Sequence, residues 1–226
     1  MAVKKPKLLI AEGAEDCALV EAMAAADLIT SDFSIAYIGE GLTTGFGITG
    51  LREYLHALPG LSRKLTAIGV MADNDLAQPY PPTATYVQNE IRAANLHPDV
   101  DDRYSVPTAP HYRAVSRRIS TVLILAPGGN AAGCLETLLV SVLNDLYPAA
   151  MACVETLIAC SNAAAPNGAP QWTPSKLDKA RVRAAVAVLN RSKPQLPLAS
   201  LWKREPDLIP VTHDLFKPLA AELSKI

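Results

Sequence analysis

Residues 64–76, KLTAIGVMADNDL, constrain the fold of this chain more than any other stretch. Positions 65–72 form a short, mostly apolar run without helical periodicity, the pattern of a buried strand. The run ends in Asp73-Asn74-Asp75. In open α/β sheets, ligands gather at the carboxyl ends of parallel strands. Two carboxylates one residue apart at such an end can both reach a hard cation such as Mg²⁺, which takes oxygen ligands. Asp and Asn also serve there simply as turn and cap residues. Which applies depends on what else the chain brings to the same edge.

Other segments repeat the pattern of strand followed by helix. Residues 7–11 read as a first strand ending in Glu12-Gly13. From 14 onward the pattern turns helical, with Cys17, Leu19, Val20, Met23 and Leu28 as an apolar face. Asp16 falls one helical turn after Glu12, and both also suit the positive end of a helix. A second strand is expected over 33–38 and a helix over 48–58, stopped by Pro59-Gly60. The glycine- and threonine-rich segment 39–50 reads as a connector or a phosphate cradle; no G-K-[ST] closes it as a P-loop. A helix over 83–96 places Val87, Ile91 and Leu96 inward. The irregular, proline-punctuated segment 97–114 has room for a small hairpin. Residues 121–126 form a further strand, and a helix from about 134 to 146 puts Glu136 in its first turn, as a ligand or as ordinary helix-dipole chemistry.

Past a break at 163–170 the sequence becomes basic. Lys176, Lys179, Arg181, Arg183, Arg191, Lys193, Lys203 and Arg204 lie between 176 and 204, with few acids among them. Ser175 is a candidate cap for a helix over 176–190. The cations form a solvated face, or some of them turn to the acidic edge and bind substrate phosphate. A closing helix buries Leu219 and Leu223.

The chain has 226 residues and a net charge of −1, so attraction to phosphate has to be local or carried by metal. Cys17, Cys134, Cys153 and Cys160 show no C-x-x-C spacing and read as reduced core thiols. The four histidines are isolated, without metal-binding spacing. No apolar run is long enough to span a membrane and no signal peptide is recognised, so a cytoplasmic location is expected.

With Glu12-Gly13 after the first strand, Asp73-x-Asp75 after the third, and Glu136 beyond a later strand, the chain resembles the Toprim domain over about residues 7–140. That domain occurs in topoisomerases, primases and OLD-family nucleases. The longer pattern, with Pro127 to Glu136 in looser spacing and a lysine-bearing helix around Lys179, is similar to small stand-alone OLD-like Toprim proteins. The resemblance implies an α/β fold: a parallel sheet of about four strands flanked by helices, as a Toprim-like catalytic domain over 1–147. A helical C-terminal extension over 148–226 would pack on it. It implies Glu12 as metal ligand or proton-transfer residue, Asp16, Asp73, Asp75 and Glu136 as metal ligands, and Lys179, with Lys176 as competitor, beside the scissile phosphate. Arg181 and Arg183 are candidate substrate-binding cations. The implied cofactor is Mg²⁺ or Mn²⁺, one or two ions.

Phosphodiester cleavage needs an activated water and stabilised charge on the leaving oxygen, which two cations about 4 Å apart can supply. The expected activity is therefore metal-dependent nuclease chemistry on nucleic acid. The alternative is a non-catalytic metal- or nucleotide-binding regulatory subunit that acts with a partner such as a separately encoded ATPase. Self-association is compatible with both. Hydrolysis or transfer on a small phosphorylated molecule is a third reading.

Overall fold

The computed structural model describes residues 5–30, 32–40, 47–61, 65–76, 80–96, 103–115, 119–128, 131–166 and 172–226. Five strands form one sheet in the order β2-β1-β3-β5-β4: β1 (Lys7–Ala11), β2 (Phe33–Tyr37), β3 (Ala67–Asp73), β4 (Arg113–Ala114) and β5 (Ser120–Ala126). The first three and β5 are parallel, and β4 runs antiparallel to β5 at the edge. The sheet thus has one strand more than expected, a pair of residues too short to leave a periodic signal. Every residue of β3 and β5 is buried, which is why both read as continuous apolar runs.

Helices cover both faces. On one side α1 (Ala14–Ala25), α4 (Leu135–Leu146), α5 (Pro148–Ala163) and α6 (Pro174–Leu189) build a core with Leu9, Met71, Val122 and Ile124 of the sheet. The short α7 (Leu201–Arg204) and α8 (Lys217–Leu223) join the same core through Trp202 and Leu219. On the other side α2 (Leu51–Leu61) and α3 (Thr83–Asn95) pack on Leu8, Ile10, Ile68, Val70, Leu123 and Leu125. The C-terminal segment shares the first core, with Val182, Phe216 and Ile226 buried beside Leu9 and Leu139. Ile226 reaches the sheet at Gly69, where an added Cβ would stand 2.6 Å from its Cδ1.

Several local expectations change. Helix α2 runs through Pro59-Gly60 to Leu61; a proline this near a helix end removes a single donor. The cap of α6 is Thr173, not Ser175: its side chain accepts from the Lys176 N–H, and Pro174 follows in the first turn. Leu96 lies just past α3 and is 85% exposed instead of inward. Cys153 and Cys160 are exposed on α5, so only part of the thiol set is core, though all four are free. The described part of 97–114 forms no hairpin of its own: Arg113–Ala114 is β4, paired with β5, and Tyr104 is bridged to Ile119; residues 97–102 lie outside the described residues. So do 41–46, half of the glycine-rich segment. Among the described residues no helix is long and apolar enough to cross a membrane.

Candidate metal centre

The order β2-β1-β3 makes the chain leave β1 toward one edge, return, and continue on the other side of β1. Helix α1, which leads to β2, lies on one face, and α2, which leads to β3, lies on the other. The crevice between the carboxyl ends of β1 and β3 is therefore the topological switch point, the place where such sheets bind ligands. Glu12 and Asp73 sit there. In register, Ala11 pairs with Met71, so Glu12 leaves β1 one position short of the level of Asp73. Side chains alternate along a strand. Asp73 shares the face of Met71, toward α1 and α4. Glu12 follows the alternation of Leu8 and Ile10, toward the Ile48 side.

Hydrogen bonds hold the acids in place. The Asp73 N–H donates to Glu12 Oε2 at 3.1 Å. Glu12 also accepts from the backbone N–H of Ile48, in the 3-10 turn Gly47–Gly50. Gly47 has φ +64°, and a Cβ there would lie 3.4 Å from Glu12 Oε1. The end of the glycine-rich segment thus closes on the first acid. Asp16 is buried in the first turn of α1, with Oδ2 accepting from the Gly13 N–H at 2.9 Å. Asp73 Oδ1 accepts from the Leu135 N–H at 2.9 Å, which ties β3 to the N-terminus of α4.

The residues before α4 are clamped to the same strand end. The Gly133 N–H donates to the Asn74 carbonyl at 3.1 Å, and Asn74 Nδ2 donates to the Ala131 carbonyl at 2.9 Å. Gly133 has φ +141°, and a Cβ would fall 2.5 Å from Thr137 Oγ1; only glycine fits this turn. The turn delivers Cys134 and Glu136 to the crevice. One ligand atom each from Asp73, Cys134 and Glu136 lie within 4.8 Å of one another.

Lys179 enters from α6, its Nζ 3.5 Å from Asp73 Oδ2. It is held there by a ladder of side chains. The Cys134 N–H donates to Thr137 Oγ1 at 3.1 Å, Thr137 Oγ1 donates to Asp178 Oδ2 at 2.8 Å, and Arg181 Nη1 donates to Asp178 Oδ1 at 3.0 Å. Arg181 then binds Glu155 on α5 with Nε and Nη2, at 2.7 and 2.9 Å. Lys176 is exposed near the start of α6, with no ion pair to the acids among the described residues. Arg183 is exposed and has no ion pair among the described residues. It lines a cavity of about 350 Å³ that also touches Glu136 and Lys179.

Burial dominates the electrostatics. It raises the Glu12 carboxyl above its ordinary value, against the bond from the Asp73 N–H. Burial and the neighbouring Asp73 charge push Asp16 well up. Asp73 is pushed up to about 7, first by burial and then by Glu12, with Lys179 acting against both. The Lys179 ammonium is disfavoured by burial, yet Glu136 and Asp73 together hold its pKa above the usual range. Burial and Glu136 push the Cys134 thiol up to about 12. Carboxylates that repel one another in a poorly hydrated crevice are neutralised by protons or by a cation.

Sequence reasoning named Glu12, Asp16, Asp73, Asp75, Glu136 and Lys179, and all stand at this end of the sheet or within electrostatic reach of it. Asp75 is exposed and raises the Glu12 and Asp73 carboxyls from the rim. Asp16 is half of a helix cap as well as a neighbour of Asp73. Arg181 is paired with Asp178 and Glu155 within the helical layer. Cys134 was missed as a site residue, because a thiol in an apolar stretch reads as core; its place directly after Gly133 was the available signal. The donors present fit a small divalent cation. Carboxylate oxygens suit Mg²⁺ or Mn²⁺, whereas the Cys134 sulfur would suit a softer ion such as Zn²⁺. No family model matches the chain, and neither curated proteins nor solved structures contain a match.

Proposed function

We propose that the protein is an Mg²⁺-dependent phosphoryl-transfer enzyme, a metal-dependent nuclease of the OLD-like Toprim type that hydrolyses phosphodiester bonds. The observation that carries this reading is the meeting of Asp73 and Glu136 at the switch point of the sheet, with Glu12 bonded to the Asp73 N–H and Lys179 brought to Asp73 from a separate helix. Asp73 and Glu136 would hold the cation, with Glu12 beside them on the opposite face of the sheet. When bound, the ion supplies Lewis-acid polarisation of the phosphate and orients it for in-line attack. Glu12, its carboxyl raised by burial, is placed to take the proton of the attacking water. Lys179 offers its ammonium to the charge that builds on the phosphate oxygens as the phosphorus–oxygen bond breaks.

The test is cleavage of a plasmid and of oligonucleotides with Mg²⁺ or Mn²⁺, wild type beside Asp73→Ala and Lys179→Ala. Metal-dependent cleavage should be lost in the first variant. In the second it should fall by about 10²–10³-fold, with calorimetric Mg²⁺ binding retained. Absence of cleavage in wild type that binds Mg²⁺ would move the reading to a regulatory subunit working with a separately encoded partner such as an ATPase. The near-neutral net charge favours that second reading, since a nuclease acting alone usually carries a basic face.

A further inference from the structure

The cavity beside the acidic crevice is the feature of this molecule that the proposed chemistry leaves unused. It opens between the first turns of α1 and α4, the middle of α6 and the 194–198 loop. Two of its lining residues, Glu136 and Lys179, belong to the cluster that faces the phosphate in the proposed reaction. Whatever fills the cavity is therefore contiguous with the reacting group. At about 350 Å³ it lies at the small end of ligand sites, which run from about 300 to 1,000 Å³. That is room for a single nucleotide-sized group, not for a base pair within a helix.

Its walls divide by chemistry. Pro194, Pro197 and Leu198 give an apolar side, and the two prolines stiffen the loop, which is anchored by the buried Leu196. A flat heterocycle packs on such a surface without needing a matched set of donors. Glu15 offers a carboxylate that accepts from sugar hydroxyls or exocyclic amines. Arg183, which has no ion pair among the described residues, stands at the wall as a free guanidinium for a flanking phosphate. Its neighbour Arg181 is tied to Asp178 and Glu155 and cannot serve.

We propose that this cavity receives the nucleoside attached to the scissile phosphate, so that the substrate is single-stranded nucleic acid or a frayed strand end and not the interior of a duplex. The inference rests on the phosphoryl-transfer reading of the adjacent cluster. A base stacked in duplex DNA cannot enter a pocket of this size unless it is first unpaired and unstacked, at a cost in free energy. A single strand enters without that cost.

The experiment compares Mg²⁺-dependent cleavage of a single-stranded oligonucleotide, the same sequence as a blunt duplex, and a closed circular plasmid. Wild type is run beside Gln195→Trp, a substitution at an exposed lining position that narrows the cavity without opening the core. The single strand should be cleaved at least tenfold faster than the duplex interior, and Gln195→Trp should lower single-strand cleavage at least tenfold. A second readout needs no turnover. With Mg²⁺ present, thymidine 5′-monophosphate should raise the melting temperature of wild type more than inorganic phosphate does, and that surplus should vanish in Gln195→Trp. Cleavage with equal rates on single strand and plasmid, or unchanged by Gln195→Trp, overturns the cavity assignment and leaves the nuclease reading standing. Failure of wild type to cleave any substrate and to respond to either phosphate overturns the reading beneath it.

Discussion

Replacing Asp73 by Asn in the metal-free protein tests whether the crevice is a held cluster of repelling acids. In the folded chain burial, and after it the nearby Glu12 charge, push the Asp73 carboxyl up to about 7, against an ordinary 3.8. Folded protein therefore keeps a proton that the unfolded chain releases. The sign follows from linkage: stability attached to this group is complete below about pH 4 and is lost as the pH rises through about 7. The interval corresponds to about 4 kcal/mol at about 1.4 kcal/mol per tenfold change in proton affinity, of which about 2–3 kcal/mol falls between pH 5 and pH 8. Glu12 and Asp16 are raised as well and act in the same direction. The assay is urea unfolding in EDTA at pH 5 and pH 8, with wild type and Asp73→Asn in parallel. Asn keeps the shape and can still accept from the Leu135 N–H, but it does not ionise. Wild type should weaken relative to the variant by about 2–3 kcal/mol over that range; contributions common to both proteins cancel. Adding Mg²⁺ at pH 8 should restore wild type alone, by about 2.7 kcal/mol at a hundredfold excess over the dissociation constant. Parallel pH profiles for the two proteins would refute the argument, since Asp73 would then not be desolvated beside Glu12.

The remaining expectations concern packing and donor choice. Gly133→Ala should cost about 1–3 kcal/mol in urea unfolding, because its Cβ meets Thr137 Oγ1 at 2.5 Å; a loss under about 0.5 kcal/mol would show that the turn before α4 yields freely. Gly69→Ala should destabilise by a similar amount through Ile226, and the double variant with Ile226→Ala should be less unstable than the two single losses added, by about 1 kcal/mol or more; additivity would disprove the contact. Cys134→Ser should leave Mg²⁺ affinity within a few-fold by calorimetry while weakening any Zn²⁺ binding; a large loss of Mg²⁺ affinity would make the sulfur position a ligand for the hard ion.

Much of this architecture is legible because burial on both faces writes itself directly into composition. β3 and all but the first two residues of β5 read as apolar runs, and the acids after β3 stand out where its run stops. The same logic picks out Glu12 after β1. Side chains that act across long sequence separations leave no such mark. Thr137 and Asp178 are 41 positions apart, and nothing local says that they bond, or that Arg181 pairs with Glu155 on α5. Cys134 was hidden by its own hydrophobicity. The Thr173 cap was readable, since a threonine before Pro174 is a helix start, but Ser175 offered a competing one. β4 makes its contribution through backbone pairing with β5, which two residues cannot announce.

The alternation of β1 and β3 sends Glu12 and Asp73 to the crevice from opposite sides of the sheet, each anchored to a different hydrophobic layer. A cation gripped by both would fasten those layers together at the rim. Its binding would then be felt far from the crevice, as slower amide exchange in α2 and α3 no less than in α1 and α4. An ion held by Asp73 and Glu136 alone would quiet one layer and leave the other as it was.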